Sequence, residues 1–319
     1  MKAIIFTIFS LFLFISSGIA QRTFNDPVAY NNFIVNEQKQ IIEKSLDYII
    51  YSAHNDNEAV ARQKRQNVIQ QIAVSNQRVK TLKPFRGDKG MRKECLKVFK
   101  MYKAVFNNDY KKMGKLKKES TSSFKAMEKY LRALENAEGK LQQAGNRFIS
   151  AQKAFAKRQG FRILQEENVQ NPMEIISQIN KYNRNVYREY FRIAILNKNY
   201  IEELQGAIRS GKTKQLEKHR KELHEATSLS LSNMEKIPPF NGDSSFRDKA
   251  IKKGKYFQAL SLNEYSEFVQ ILSKTTITQQ QVDRFNNLVK QVNQETSVLA
   301  QEFNDSNREM LRKHIPSER

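Results

Sequence analysis

The sequence predicts an all-α protein made of two tandem, duplicated antiparallel four-helix bundles that follow a signal peptide. Three observations support this prediction. A Pro-Phe-x-Gly-Asp motif occurs twice, 155 positions apart, at residues 84–88 and 239–243. After residue 20, apolar residues recur at the three- and four-residue intervals of amphipathic helices. The alternating Val, Ile and Thr blocks that are typical of strands do not occur there.

The repeated motif has the composition of a turn between two helices. Proline prevents a helix from continuing, and glycine permits the positive φ of a tight turn. An aspartate ahead of a helix caps the free amides of its first turn. We therefore predict a structural turn in each half, with its aromatic residue buried. The turn residues are Pro84, Phe85, Gly87 and Asp88 in the first copy and Pro239, Phe240, Gly242 and Asp243 in the second.

The first copy also contains Arg86-Gly87-Asp88, a tripeptide typical of integrin-binding adhesion sites. In the second copy Asn241 takes the place of the arginine, whereas the glycine and the aspartate remain. The two copies therefore agree only on the residues that a turn requires. This agreement favours a capping turn over an adhesion site, because short motifs often occur by chance.

The shift of 155 persists for roughly seventy residues beyond the motif and pairs apolar positions with apolar positions. A core repeated at one fixed shift indicates two copies of one supersecondary unit. Upstream, Asp26-Pro27 matches Asn171-Pro172 at a shift of 145, which predicts ten extra residues in the second copy near residues 197–213. The downstream pairs include Leu96/Ile251, Tyr102/Phe257, Tyr110/Tyr265, Tyr130/Phe285, Phe148/Phe303 and Phe155/Met310.

Eight helices are predicted, four in each half. In the first half, Pro27 occupies a first-turn position that tolerates proline. Asn55-Asp56 separates the first helix from the second. The third helix is predicted from Asp88 to Lys118, with a kink at Asn107-Asn108, and residues 120–123 separate it from the fourth.

The second half repeats this scheme. Gly211 precedes its second helix, Asp243 caps its third, and Thr278 caps its fourth, which is predicted to end near Pro316. Residues 160–171 are the predicted joint between the halves. Short turns between four helices favour an up-down-up-down bundle.

Residues 1–20 are predicted to be a secretory signal peptide. A lysine follows the initiator methionine, residues 4–15 are almost wholly apolar, and Gly18-Ile19-Ala20 offers the small residues of a cleavage site. The first bundle is then predicted at residues 21–162 and the second at residues 163–319. The expected location is the periplasm, the outer cell surface or the medium, with no transmembrane segment in the mature chain.

The net charge of +22 is concentrated in the first half. Residues 21–160 carry 29 basic and 13 acidic side chains, whereas residues 161–319 carry 25 and 20. Clustered lysines attract polyanions, so we predict an anion-binding face, with a merely solvated surface as the alternative. The candidate residues are Lys89, Lys93, Lys97, Lys100, Lys111, Lys115 and Lys118.

The anions available to an exported protein are lipopolysaccharide phosphates, acidic polysaccharides and stray nucleic acid. Sequence-specific nucleic-acid binding is not expected, because no helix-turn-helix, zinc-finger or RNA-binding signature is present. A second alternative is a spacer whose long helices continue into a coiled coil of another protein. The sequence leaves the oligomeric state open.

No catalytic residue, cofactor or metal site is predicted. Cys95 lies at helical spacing with Phe99 and Tyr102, which indicates a core residue rather than a catalytic thiol. His219 and His224 are five positions apart and do not share a helix face. Glutamates beside them keep a periplasmic metal- or cofactor-binding bundle as the alternative function, although the Glu-x-x-His pairs of di-iron bundles are missing.

Three segments carry a resemblance to a protein family: Tyr30-Asn31, Pro84 to Asp88, and Ala151 to Ala156. In these segments the chain resembles an uncharacterised family of exported α-helical surface proteins found in Bacteroidota and leptospires. The resemblance covers most of the mature chain. It implies a location at the cell envelope and implies no activity or site residues. The predicted function is therefore that of an exported, non-enzymatic binding or scaffold protein.

Overall fold

A computed structural model describes residues 23–54, 57–163 and 172–314, and it confirms the all-α prediction. Within these ranges, ten α-helices and one π-helical turn form eight helical rods, four in each half. The first half contains α1 (Pro27–His54), α2 (Glu58–Lys80), α3 (Gly90–Ala104), the π-helical turn (Val105–Asp109), α4 (Tyr110–Ser120) and α5 (Phe124–Gln159). The second half contains α6 (Pro172–Ser210), α7 (Lys214–Glu235), α8 (Ser245–Leu262), α9 (Glu264–Leu272) and α10 (Gln279–His314).

Several predictions concern residues outside the described ranges. These are the signal peptide at residues 1–20, the Asn55-Asp56 break, most of the joint at residues 160–171, and the helix end near Pro316. None of the described helices is both long enough and apolar enough to cross a membrane.

Local capping explains where several helices begin and end. Asn57, Ser123 and Thr278 precede α2, α5 and α10, and a side-chain oxygen of each accepts a hydrogen bond from a first-turn amide. Gly160 and Gly211 follow α5 and α6 with φ of 72° and 66°, a backbone that strongly favours glycine. The predicted cap at Thr278 is therefore present, and Gly211 precedes α7 as predicted.

Each half has its own apolar core, in which consecutive rods pack against one another. Cys95 lies in the first core, and burial raises the pKa of its thiol well above the usual value. This agrees with the prediction of a core cysteine. The first and last rods of each half, α1 with α5 and α6 with α10, meet at few positions, so each bundle is open along that seam.

The third rod of each half is interrupted at matching places. In the first half the interruption is the π-helical turn, which contains the predicted kink site. In the second half α8 ends and α9 begins around Asn263, which is the counterpart of Asn108. At each interruption, a buried or half-buried arginine donates a hydrogen bond to a backbone carbonyl. Arg65 donates to the Phe106 carbonyl at 3.0 Å, and Arg220 donates to the Ser261 carbonyl at 2.6 Å.

The match between the first rods differs from the sequence prediction. Tyr48 packs on Tyr110 with ring centroids 5.2 Å apart, and Tyr200 stacks on Tyr265 at 4.0 Å. Tyr110 and Tyr265 are partners at the shift of 155, so the first rods match at 152. The shift of 145 and the ten extra residues were wrong, because they relied on the prolines at which the two helices begin. The second half has three additional residues between Tyr200 and Arg220.

Candidate anion-binding face

The candidate lysines lie on two consecutive helices of the first half, separated by the π-helical turn, and all are exposed. Their opposite side is fixed by burial of the apolar stripe of α3, which includes Cys95 and Phe99. One lysine precedes α3, three lie on it and three lie on α4. In chain order they are Lys89, then Lys93, Lys97 and Lys100, then Lys111, Lys115 and Lys118.

Two acidic residues, Glu94 and Asp109, lie between Lys89 and Lys118, and basic side chains bind both of them. Glu94 accepts hydrogen bonds from Lys97 and Arg147, each at 2.6 Å, and these bonds lower the pKa of Glu94. Asp109 accepts one from Lys140 at 2.7 Å. The face therefore presents lysines rather than unpaired carboxylates to solvent.

Some of the candidate lysines are paired, but only at the surface. Lys115 lies 3.7 Å from Glu119, and Lys118 lies 3.0 Å from Glu58. Such exposed pairs are worth roughly 0–1 kcal/mol, so a competing anion displaces them readily. In the described part of the chain, Lys93 has no acidic partner within 4.0 Å.

The second half shows that the fold does not require these lysines. At the shift of 155 the seven positions are occupied by Ser244, Asp248, Lys252, Lys255, Ser266, Gln270 and Ser273. Only two of them retain a lysine, although α8 and α9 take the places of α3 and α4. The positive face is thus a property of the first half alone.

Asp88 and Arg86 of the Arg86-Gly87-Asp88 turn contact other residues of the same chain. Asp88 accepts hydrogen bonds from Arg158 Nε and from the Gly90 amide, both at 2.7 Å, while the Arg86 guanidinium lies over the Phe85 ring. Burial raises the pKa of Asp88, but these hydrogen bonds outweigh it and hold the pKa below the usual value. The carboxylate is therefore occupied by the fold, which supports the turn interpretation.

The aspartate of the second turn makes the same kind of hydrogen bonds as Asp88. Asp243 accepts hydrogen bonds from Lys313 at 2.8 Å and from the Ser245 amide at 2.9 Å, and the Lys313 contact is the main reason that its pKa is low. We predict Asp88 and Asp243 as N-caps, but the N-cap residues are Lys89 and Ser244, one position later, because the helices begin at Gly90 and Ser245. Each carboxylate nevertheless binds the first helical amide.

The two histidines considered for metal binding point to separate partners. His219 Nδ1 lies 3.1 Å from Glu222, and His224 Nδ1 lies 3.1 Å from Ser261. Across residues 23–54, 57–163 and 172–314, no three His, Cys, Asp or Glu side chains form a group that would hold a metal ion.

A surface groove between α4 and α5 was not predicted from the sequence. Its volume is ≈ 470 Å³, and its lining includes Met113, Ala133 and Gly139. Lys112 and Lys140 stand at its rim. The signal that reveals it is the comparison of small residues in the first half with their larger counterparts in the second.

Comparison of the chain with protein-family models, with curated proteins and with solved structures found no match.

Proposed function

We propose that the chain is an exported, non-enzymatic binding and scaffold protein of the cell envelope, and that its first half binds anionic polymers through α3 and α4. The observation that carries the proposal is the difference between the halves. The seven candidate positions all carry exposed lysines in the first half, whereas only two of their counterparts in the second half are lysines. A charge difference that the fold does not need is expected where one half has a partner that the other lacks.

Tandem duplication of one four-helix unit is part of this proposal, and matching contacts support it. The pair Asp88–Arg158 corresponds to Asp243–Lys313 at the shift of 155. A second correspondence reverses sign: Glu94 binds Arg147 in the first half, and Lys249 binds Glu302 in the second. The exchange preserves the contact between the third and fourth rods while the charges change places.

The geometry favours a long, flexible anion over a small one. Residues 89–118 form nearly continuous helix, which at 1.5 Å per residue extends about 44 Å. A short anion contacts one or two of the lysines, whereas a polymer contacts the whole row. Binding is therefore expected to rise with polymer length and to fall steeply with salt.

The test is retention on immobilised heparin and on polyphosphate, eluted with a salt gradient. The triple variant Lys93→Gln, Lys100→Gln and Lys111→Gln removes three exposed lysines of the face. It is expected to elute at markedly lower salt than the wild type, while its helical circular dichroism and its Tm are unchanged. The result supports the proposal if chains of polyphosphate longer than the face bind more tightly than tripolyphosphate.

A matched control loses the same charge elsewhere. Lys236→Gln, Lys255→Gln and Lys274→Gln remove three exposed lysines of the second half. This control is expected to elute close to the wild type. Equal loss of retention in the two triple variants would mean that net charge alone is responsible, and the proposed face would be rejected.

The proposed export has its own test. Residues 1–20 have the composition of a cleaved signal, so the mature protein is expected to begin at Gln21. Intact-mass measurement of protein recovered from periplasmic and surface fractions checks this. Recovery of the uncleaved chain from the cytoplasm alone would contradict it.

A further inference from the structure

The groove between α4 and α5 exists because small side chains lie along it. Ala133 and Gly139 face it from α5, and Met113 faces it from α4. A Cβ placed at Gly139 would meet no heavy atom within 4 Å, so the packing of the chain does not require a glycine there. A glycine inside a helix costs about 1 kcal/mol relative to alanine. The glycine therefore leaves this part of the groove open.

In the second half, the corresponding surface is filled. Leu288, Gln294 and Phe268 stand where Ala133, Gly139 and Met113 stand in the first half. Leu288 and Phe268 are buried, and Phe268 packs on Phe285 with ring centroids 4.6 Å apart. The surface made by α9 and α10 therefore lacks the small residues that open the groove between α4 and α5.

Most of the charges around these two surfaces are opposite. Lys112 and Lys140 at the groove correspond to Glu267 and Glu295 on the α9–α10 surface, and Glu135 at the groove corresponds to Lys290. The fourth charged residue of the groove, Asp109, corresponds to the acidic Glu264 and is not reversed. Within one copy Lys140 pairs with Asp109, and Glu267 pairs with Arg284, so a second copy has to displace these surface pairs. Three reversals among four charged positions favour contact between the two surfaces.

An exposed apolar side chain stands beside the acidic rim. Val298 lies three residues after Glu295 on α10, on the neighbouring position of the same helix surface, and it is 52% exposed. A small apolar side chain of this kind fits a groove whose lining includes glycine and alanine. In the described part of the chain, no basic residue lies within 4.0 Å of Glu295, which leaves it available to a second molecule.

We propose that the α4–α5 groove binds the α9–α10 surface of a second copy of this chain. Val298 of one copy then lies over Gly139 of the other, and Lys112 and Lys140 face Glu267 and Glu295. The contact joins two different surfaces, and both are present in every copy, so it is heterologous. It joins copies head to tail into an open chain, unless the geometry closes the chain into a ring. The interface uses none of the lysines assigned to the anion-binding face.

Long-range repulsion opposes this contact, because each copy carries a large net positive charge. At about 0.15 M ionic strength the Debye length is about 8 Å, so charges on distant parts of the two copies are screened while pairs in contact remain. Association is therefore expected to be strongest at intermediate salt and weaker at both very low and high salt.

The test is sedimentation velocity of the full mature chain over a range of concentrations. The wild type is expected to show a weight-average mass that rises with concentration. Lys112→Glu with Lys140→Glu places like charges on both surfaces, and so does Glu267→Lys with Glu295→Lys. Each double variant alone is expected to remain a monomer. An equimolar mixture of the two restores opposite charges at every contact and is expected to associate as the wild type does.

Two further variants separate the groove from net charge and from anion binding. Lys153→Glu with Lys157→Glu changes the charge equally at exposed sites on α5 outside the groove, and it is expected to associate normally. Ala133→Leu with Gly139→Gln fills the groove with the residues of the second half, and it is expected to abolish association while heparin elution stays at the wild-type salt. A monomeric wild type, or a mixture that fails to associate, would overturn the proposal.

Discussion

Lys253 is a charged residue at a core position. It lies on α8 and is 4% exposed, and its counterpart in the first half is the fully buried Val98. Its ammonium lies 5.0 Å from the centre of the Tyr190 ring, and in the described part of the chain no carboxylate lies within 4.0 Å of it. Burial lowers the pKa of Lys253 from 10.5 to about 8. Burial of the protonated amine therefore lowers the stability of the native state.

Lys253→Met is expected to stabilise the protein at pH 7 by about 2 kcal/mol, since it retains the packing volume and removes the buried charge. The native pKa is lower than the unfolded pKa, so between pH 8 and 10.5 the unfolded chain binds more protons. Stability due to this group therefore rises with pH through that window. Urea unfolding at pH 7 and pH 10 should show the advantage of the variant shrinking at the higher pH.

The matched control for Lys253 is Lys255→Met, two residues away on the same helix and exposed. It should change the free energy of unfolding by less than about 0.5 kcal/mol at either pH. If Lys253→Met destabilised the protein at pH 7, the cation–π contact with Tyr190 would outweigh the burial of the amine, and the interpretation would be wrong.

At the scale of elements, the two turns have nearly identical backbones. The central residues Arg86 and Gly87 have φ of 47° and 86°, and Asn241 and Gly242 have φ of 49° and 80°. Positive φ at both central residues is the geometry of a type I′ turn. The residues on either side of each turn form an isolated antiparallel bridge, in which the Asp88 amide donates to the Phe85 carbonyl and the Asp243 amide donates to the Phe240 carbonyl, both at 2.8 Å. Only glycine adopts the second position without strain.

Gly87→Ala and Gly242→Ala are each expected to destabilise the protein by about 1–2 kcal/mol, because an L side chain at positive φ meets its own backbone. Gly114→Ala and Gly206→Ala are the controls. These glycines lie inside helices, and an added Cβ would meet nothing within 4 Å, so about 0.5–1 kcal/mol of stabilisation is expected. Thermal unfolding of the four variants checks the contrast, and equal effects in both pairs would contradict the turn geometry.

The elements were largely predictable because their signals are local. The repeated turn, the breaks and the caps depend on single residue types such as Gly87 and Thr278, which act through their own backbone. The register of the first rods was not predictable, since Pro27 and Pro172 mark helix starts and helix starts shift without changing the core. Tyr48 and Tyr200 set that register through contacts with the third rod, which only the fold brings together.

One part of the candidate site, the exposed lysines, was predictable from the sequence, whereas the groove was not. Exposure of the lysines follows from their position opposite Cys95 and Phe99 on one helix, so the periodicity predicted it. The groove depends on two helices at once, and no pattern within α4 or α5 alone reveals it. The charge reversal between Lys112 and Glu267 is visible in the sequence, but it acquires meaning only when both residues are placed at the rim of a surface.

At the scale of the whole molecule, the halves meet through α5 and α6. Met127 and Leu131 of α5 pack on Phe191 and Ile195 of α6. The corresponding surface of α10 lacks this apolar contact. Asn286 stands there in the place of Leu131, and it is exposed. Val282, the counterpart of Met127, is 39% exposed as well. The surface of α10 that corresponds to the α5 side of the junction is therefore exposed.

A buried ion pair lies at the edge of this junction. Glu138 of α5 is 8% exposed, and it accepts hydrogen bonds from Arg184 of α6 at 2.6 Å and from Asn180 at 2.8 Å. Burial raises the pKa of Glu138, and Arg184 opposes that rise. Replacement of a buried pair by neutral groups is often tolerated, whereas loss of one partner leaves an uncompensated charge.

Arg184→Met is therefore expected to cost about 3–5 kcal/mol at neutral pH, and Glu138→Gln with Arg184→Met should recover most of it. Without Arg184 the native pKa of Glu138 rises further above its unfolded value. Within that window the native state binds more protons, so stability rises as pH falls and the penalty of Arg184→Met should shrink from pH 7 to pH 5. Arg132→Met, at an exposed pair on α5, should stay within about 1 kcal/mol of wild type. Urea unfolding checks all three, and a double variant as unstable as Arg184→Met would show that Arg184 joins the halves by packing rather than by neutralising Glu138.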